Sequence, residues 1–276
     1  MRIKIMIIAC ALVITTFSAC GRTNREKQTD AENTQNTQSE GSNDMTWNND
    51  SLYDIKGGYT AKSRISDVIN DPVFEDYGRL IFPTDFKIDD DLKLSEVSSI
   101  LPWYSEVNTD KTVEIVNYMK NQSESGNRIF YNIYSEDEMQ ADPEKRNTGL
   151  FFFRGNAGEK TAIINAGGGF VYVAGIHDSF PQALEISKKY NAFALIYRPG
   201  AQTACEDLAR AIAYLYENVD ELQIDMTDYS LWGGSAGARM AAWLGSYGTA
   251  YFGEDSYPAP AAVIMQYTGL SVVTGN

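Results

Sequence analysis

The stretch YSLWGGSAGARMAAWL, residues 229–244, decides how the rest of the chain is read. Tyr229–Trp232 has the apolar and aromatic character of a short strand, and Ala236–Leu244 the small and apolar residues of a buried helix. Between them stand Gly233, Gly234, Ser235, Ala236 and Gly237, a G-x-S-x-G spacing. A strand that turns into a helix over so few residues strains the backbone at its apex, and the flanking glycines let neighbouring segments pack against the turn. A serine at that apex stands beside the first N–H groups of the helix, which have no acceptor of their own and carry the positive end of the dipole. The bland alternative is a glycine turn joining strand to helix.

Upstream, a second glycine cluster, Asn165-Ala166-Gly167-Gly168-Gly169-Phe170, follows the apolar run Thr161–Asn165. Glycines here let the main chain approach a ligand and aim its N–H groups at it. A dinucleotide loop would need glycine at position 172, where Tyr172 stands, and G-x-x-x-x-G-K-[ST] does not occur, so no cofactor is expected. Between the two clusters the pattern predicts a helix over Pro181–Lys189 capped by Ser179, an apolar strand over Ala192–Tyr197 and a helix over Glu206–Glu217. Arg128–Tyr134 and Leu150–Phe153 read as earlier strands, Ala262–Gln266 as a last one, and Thr112–Lys120 has helical spacing. Apolar strands alternating with amphipathic helices predict an α/β fold: a mostly parallel sheet with helices on both faces and its chemistry at the carboxyl ends of the strands.

Composition narrows the chemistry. The 276 residues are 43% hydrophobic and 22% charged, as in a folded globular chain. Twenty-three Lys+Arg against 37 Asp+Glu give a net charge of -14, which argues against nucleic acid as a partner. Cys10, Cys20 and Cys205 form no Cys-x-x-Cys pair, and His177 is the one histidine, so no metal site is expected.

The amino-terminal segment reads as an address. Arg2 and Lys4 precede the charge-free run Ile5–Phe17, too short for an ordinary membrane span and suited to a secretory signal. The following Phe17-Ser18-Ala19-Cys20-Gly21 resembles the lipobox of bacterial lipoproteins, with phenylalanine where leucine is usual. That resemblance implies cleavage before Cys20, lipid attachment to Cys20, and a location at the cell membrane on its extracytoplasmic face. Losing Arg2 and Lys4 makes the chain still more acidic, so the acyl chains and not surface charge would hold it to the membrane. The expected organisation is a signal peptide over 1–19, a flexible polar tether over 20–50, an N-terminal extension over 51–127 packed on the main domain, and an α/β core over 128–276.

From about Arg128 onward the chain resembles the α/β-hydrolase superfamily, in particular its secreted bacterial esterase and lipase branch of hormone-sensitive-lipase-like and feruloyl-esterase-like enzymes. The resemblance rests on the serine elbow, on a glycine loop similar to H-G-G-G with Ala166 in place of histidine, and on the Tyr197-Arg198 pair with Asp207 following. It implies Ser235 as nucleophile, an oxyanion hole from the backbone N–H groups of Gly168, Gly169 and Ala236, a small-molecule ester as substrate, and a structural ion pair between Arg198 and Asp207. The family's chain order is serine, acid, histidine. Here Glu254 and Asp255 fall before the strand Ala262–Gln266, and no histidine follows Ser235. A fold lacking its last strands and helix is therefore expected, with an open sheet edge at Ala262–Gln266 and activity that is weak or absent. His177 has the wrong chain order for a base, and adjacent Asp178 is poorly placed to orient its ring. The alternatives are a non-catalytic ligand-binding surface lipoprotein on the same scaffold, or a serine peptidase of the same fold.

Overall fold

The structure is a computed structural model that describes residues 4–6, 58–101, 103–104 and 107–268. Cys20 and the tether lie outside the described residues, as do the last residues of the chain. A single seven-stranded sheet organises the rest. Its strands are β1 (Lys4–Met6), β2 (Phe130–Tyr131), β3 (Gly149–Phe153), β4 (Lys160–Asn165), β5 (Asn191–Ile196), β6 (Asp225–Gly234) and β7 (Ala262–Gln266), in the spatial order β1-β7-β6-β4-β5-β3-β2. From β7 to β5 the pairing is parallel, whereas β3 runs antiparallel to β5 and β2 to β3. Strands β3 and β5 are buried along their whole length, which is why GLFFF and NAFALI carry almost no polar residue.

The helices are α1 (Ile65–Ile69), α2 (Thr109–Glu124), α3 (Glu136–Ala141), α4 (Ser179–Ile186), α5 (Ala201–Glu217), α6 (Val219–Leu222) and α7 (Ala236–Tyr247). The chain leaves β4 through α4 to reach β5 on one side, then returns through α5 past β4 to β6, and continues through α7 to β7. Right-handed crossovers in opposite directions put α4 on one face and α5 with α7 on the other. In keeping with this, α5 packs on α7 while α4 packs on α2. Helix α5 is amphipathic and inserts Leu208, Ala211, Ile212 and Leu215 into the core. The reversal of direction makes the gap between β4 and β6 the topological switch point, the place where loops diverge and leave a crevice at the strands' carboxyl ends. The fold is α/β, a mostly parallel sheet with helices on both faces.

Several boundaries differ from the sequence reading, each for a physical reason. Arg128–Tyr134 contributes only Phe130–Tyr131 to the sheet, because beyond Tyr131 the backbone turns to side chains: the Ile133 carbonyl accepts from the Arg210 guanidinium at 2.8 Å. Helix α5 begins at Ala201, earlier than Glu206, since Gly200 at φ 98 ends the preceding turn. Helix α4 begins at Ser179, which lies inside it and does not cap it. In the full chain the outer edge of β7, expected to be open, is paired along Ala262–Ile264 with Lys4–Met6, a partner that cleavage before Cys20 would remove.

Residues of the N-terminal extension close over the α4 side of the sheet. Asn108 caps α2 through the Lys111 N–H at 3.0 Å. Tyr118 of α2 stacks flat on Phe153 of β3, ring centroids 5.5 Å apart. Before α2 the chain carries Trp103 and Tyr104 to the carboxyl ends of β4 and β6, where they meet the two glycine-rich loops.

Candidate active site

The two loops singled out in the sequence are neighbours because β4 and β6 pair in register, Asn165 opposite Gly233. Strand β6 ends at Gly234 and α7 begins at Ala236, which leaves Ser235 as the single hinge residue. Its backbone sits at φ 48, ψ -109, a region that L-residues seldom occupy and that stores strain. The surroundings explain how the strain is maintained. A Cβ on Gly233 would lie 2.2 Å from the Gly237 carbonyl carbon, and one on Gly237 would lie 2.0 Å from the Asn165 oxygen. The elbow is thus folded backbone on backbone and pressed onto the end of β4. The Ser235 N–H donates to the Gln266 carbonyl at 3.1 Å, which ties the turn to the end of β7. The Ala236 N–H, first of α7, has no acceptor within its own helix.

The glycine loop takes the other side. Gly168 and Gly169 have φ of 130 and 65, and the Gly168 carbonyl accepts from the N–H groups of Val171 and Tyr172, closing a tight turn. Two side chains anchor it from beneath. The Tyr197 hydroxyl donates to the Ala166 carbonyl at 2.8 Å, and the Gly167 N–H donates to the Asp178 carboxylate at 2.6 Å.

Between loop and elbow lies a cavity of about 370 Å³, lined by Trp103, Tyr104, Gly168, Gly169, Ser235 and Tyr267. That is the lower range for a small-molecule site. A larger groove of about 570 Å³ lies elsewhere, over Ala162 and Trp232 on the α4 side of the sheet, and has no strained or reactive group. The mouth of the smaller cavity is aromatic. Trp103 is 73% exposed and stacks on Tyr172 at 5.8 Å. The hydroxyls of Tyr104 and Tyr267 stand 3.1 Å apart, and that of Tyr267 donates to Asp178. Burial pushes the Tyr104 phenol up to about 12, and burial with the nearby Asp178 charge raises Tyr267 as well, so both are neutral hydroxyls at neutral pH. Burial also raises the Asp178 carboxyl, against the hydrogen bonds from Gly167, Tyr267, Tyr104 and Gln182 that favour its charged form.

Of the residues predicted for the site, Ser235, Gly168 and Gly169 share this cavity, and Ala236 follows the serine. His177 does not line it. Its ring packs edge-on against Tyr104, centroids 4.0 Å apart, and neither ring nitrogen has a hydrogen-bond partner among the described residues. Burial lowers its pKa to about 4, so the imidazole is neutral at neutral pH and a weak base. Asp178 does not orient that ring: its carboxylate is turned to the glycine loop and the phenols. Arg198 and Asp207 form a buried ion pair at 2.7 Å, joined by the Arg198 N–H and the Tyr134 hydroxyl, and brace the loop after β5 away from the cavity. Cys205 is buried and its thiol is pushed up to about 12, which makes it a packing residue. Among the described residues no cluster of His, Cys, Asp and Glu is arranged to hold a metal ion.

Trp103, Tyr104, Asp178 and Tyr267 escaped the sequence reading as site residues. The first two come from the N-terminal extension and Tyr267 from beyond β7, so only the folded sheet brings them together. Asp178 carried a signal: an aspartate at a helix start ordinarily caps its helix, but the carboxylate of this one makes no cap bond to α4.

The family described as BD-FAE matches residues 156–262, which include both loops. No curated protein matches. Among solved structures the chain is similar to the thermophilic esterase Est2 from the planctomycete Thermogutta terrifontis, at 20% identity and a TM-score of 0.36 over 41% of this chain and 42% of that one. It is also similar to MGS-M1, an α/β-hydrolase enzyme from a Medee basin deep-sea metagenome library, at 24% identity and a TM-score of 0.38 over 45% of this chain and 53% of that one. The matched region thus spans about half or less of those enzymes. Over residues 156–262, then, the chain is similar to the family BD-FAE.

Proposed function

We propose that the chain is a serine hydrolase of small carboxylic esters. Ser235 Oγ would attack the ester carbonyl, a bond from oxygen to the acyl carbon would form, and the alcohol would leave. Water would then release the acid and restore the serine. The N–H groups of Gly168, Gly169 and Ala236 would take the charge on the carbonyl oxygen. The observation that carries this reading is the strained Ser235 on a strand-to-helix turn, φ 48 and ψ -109, across a small cavity from the glycine loop. The BD-FAE match over 156–262 supports it.

The weak point is the proton. No histidine lines the cavity among the described residues, and neutral His177 lies against Tyr104 with no carboxylate partner. A serine with an oxyanion hole and no base keeps only a residual acceleration, roughly 10³–10⁴ over water. The same observation favours a second reading, a ligand-binding protein on a hydrolase scaffold. A fluorophosphonate probe and p-nitrophenyl acetate separate the two. Slow covalent labelling abolished by Ser235→Ala, with slow turnover, supports the hydrolase. No labelling of the unaltered protein favours the binder, and fast turnover lost in His177→Ala would restore His177 as a base.

We infer that the protein is anchored by lipid at Cys20 on the outer face of a cell membrane, supported by the lipobox resemblance at Phe17–Gly21. Among the described residues no helix is long and apolar enough to cross a membrane. Incorporation of labelled palmitate, lost in Cys20→Ala, is the expected result; a protein that takes up no palmitate is not a lipoprotein.

A further inference from the structure

Asp178 takes no part in the serine chemistry above, yet its carboxylate binds the start of the glycine loop and both phenols of the cavity wall. It is 6% exposed. Its Oδ2 accepts from the Gly167 N–H at 2.6 Å and from the Tyr267 hydroxyl, while Oδ1 accepts from Gln182 at 3.1 Å. The Tyr104 hydroxyl, 3.1 Å from that of Tyr267, is hydrogen-bonded into the same cluster. These partners come from four stretches: the loop after β4, helix α4, the segment before α2, and the segment after β7. Tyr104, Tyr267 and the glycines that follow Gly167 all line the cavity that holds Ser235.

Three consecutive glycines have wide conformational freedom and, unanchored, would sample many orientations of their N–H groups. A bond from an N–H to a buried carboxylate is charge-assisted, and it fixes the whole planar peptide to which that N–H belongs. Everything after Gly167 is then built from a fixed plane. The two phenols, hydrogen-bonded to the same carboxylate, tie the opposite wall to it. Donors held in place before the reaction begins stabilise developing charge without reorganising, a benefit that appears in the transition state and not in substrate binding.

We propose that Asp178 is a positioning residue: its buried carboxylate clamps the glycine loop and the Tyr104–Tyr267 pair into one rigid wall around Ser235. This role rests on the serine-hydrolase reading. Asparagine is nearly the same size, but its single acceptor oxygen has two lone pairs for three donors, the loop N–H and both phenols.

The test compares the full chain with Asp178→Asn, Tyr267→Phe and Ser235→Ala, reading kcat and KM for p-nitrophenyl acetate, the rate of fluorophosphonate labelling, and the thermal midpoint. The Asp178→Asn variant is expected to lose about tenfold or more in kcat and labelling rate with KM within about twofold. The Tyr267→Phe variant, which leaves the loop anchored, loses about threefold in the same direction. A purely structural carboxylate would lower the midpoint and leave kcat per folded molecule intact, and that result overturns the proposal. If Asp178→Asn does not fold, Tyr267→Phe decides, and unchanged kcat there overturns it. Label that survives Ser235→Ala overturns the serine reading and this role with it. Wild-type rates in Asp178→Asn, with Ser235→Ala silent, overturn this role alone.

Discussion

The elbow after β6 and the loop after β4 face each other across one cavity, yet they are held by opposite means. The elbow is locked backbone on backbone, within itself and against the end of β4. Gly233 and Gly237 touch main-chain atoms at distances no side chain could share, and a single strained residue, Ser235, is the result. The loop closes on itself at Gly168, whose carbonyl takes the Val171 and Tyr172 N–H groups, and is otherwise held from outside, by the Tyr197 hydroxyl on one carbonyl and the Asp178 carboxylate on one N–H. Contacts of the first kind are written in a pentapeptide. Contacts of the second kind are made by residues remote in sequence or by a carboxylate whose direction no motif announces.

The harshest way to break the comparison is Gly237→Ala. The added methyl would meet the Asn165 oxygen at 2.0 Å, backbone against backbone, so neither partner can swing aside. Overpacking of this kind costs on the order of 3 kcal/mol or more. A drop of many degrees in the thermal midpoint, with loss of labelling, is expected. A midpoint within a degree of the unaltered protein would show that the elbow is looser than its geometry implies.

The loop side has a pH signature that the elbow lacks. Its continuation buries His177 with both ring nitrogens unpartnered, and burial lowers that group's pKa from about 6.5 to about 4. The unfolded chain therefore binds a proton that the folded one refuses between those values. By linkage, stability is full above pH 6.5 and falls as the pH drops toward 4. The loss is up to about 3 kcal/mol for this group. Replacing the histidine by phenylalanine, which cannot bind a proton, should flatten that part of the curve in urea unfolding measured at pH 4.5 and 7. An unchanged slope would mean that other groups produce the loss; Asp178 is not one of them, since its raised carboxyl gains a proton in the folded state first and opposes it.

How much of this was legible follows from the same division. The parallel strands were legible because a sheet buried on both faces demands unbroken apolar runs such as AFALI in residues 192–196. The elbow was legible because strand, glycines and helix are contiguous. The short edge pairing at Phe130–Tyr131 was overread, since apolar residues continue past the point where the backbone leaves the ladder. The aromatic wall was not legible at all: Tyr104 and Tyr267 are 163 positions apart, and their hydroxyls meet only when the extension folds over the sheet. His177 drew attention as the one imidazole, but its neighbour Asp178 is the residue turned toward the site.

The mildest perturbation sharpens the comparison best. At Gly169 an added methyl would find the Trp103 ring at 3.0 Å, a side chain 73% exposed and free to move, in place of backbone. What remains is the cost of φ 65 for an L-residue, about 1–2 kcal/mol. Gly169→Ala should therefore fold with a midpoint lowered by a few degrees, well short of the Gly237→Ala loss. Its effect on chemistry should exceed its effect on stability, because Gly169 lies beyond the side-chain anchors at Ala166 and Gly167, where strain is relieved by turning N–H groups. Labelling of Ser235 should slow about tenfold while the fold survives. If the midpoint collapses as it does for Gly237→Ala, the loop is locked backbone on backbone after all, and the contrast between the two sides of the cavity disappears.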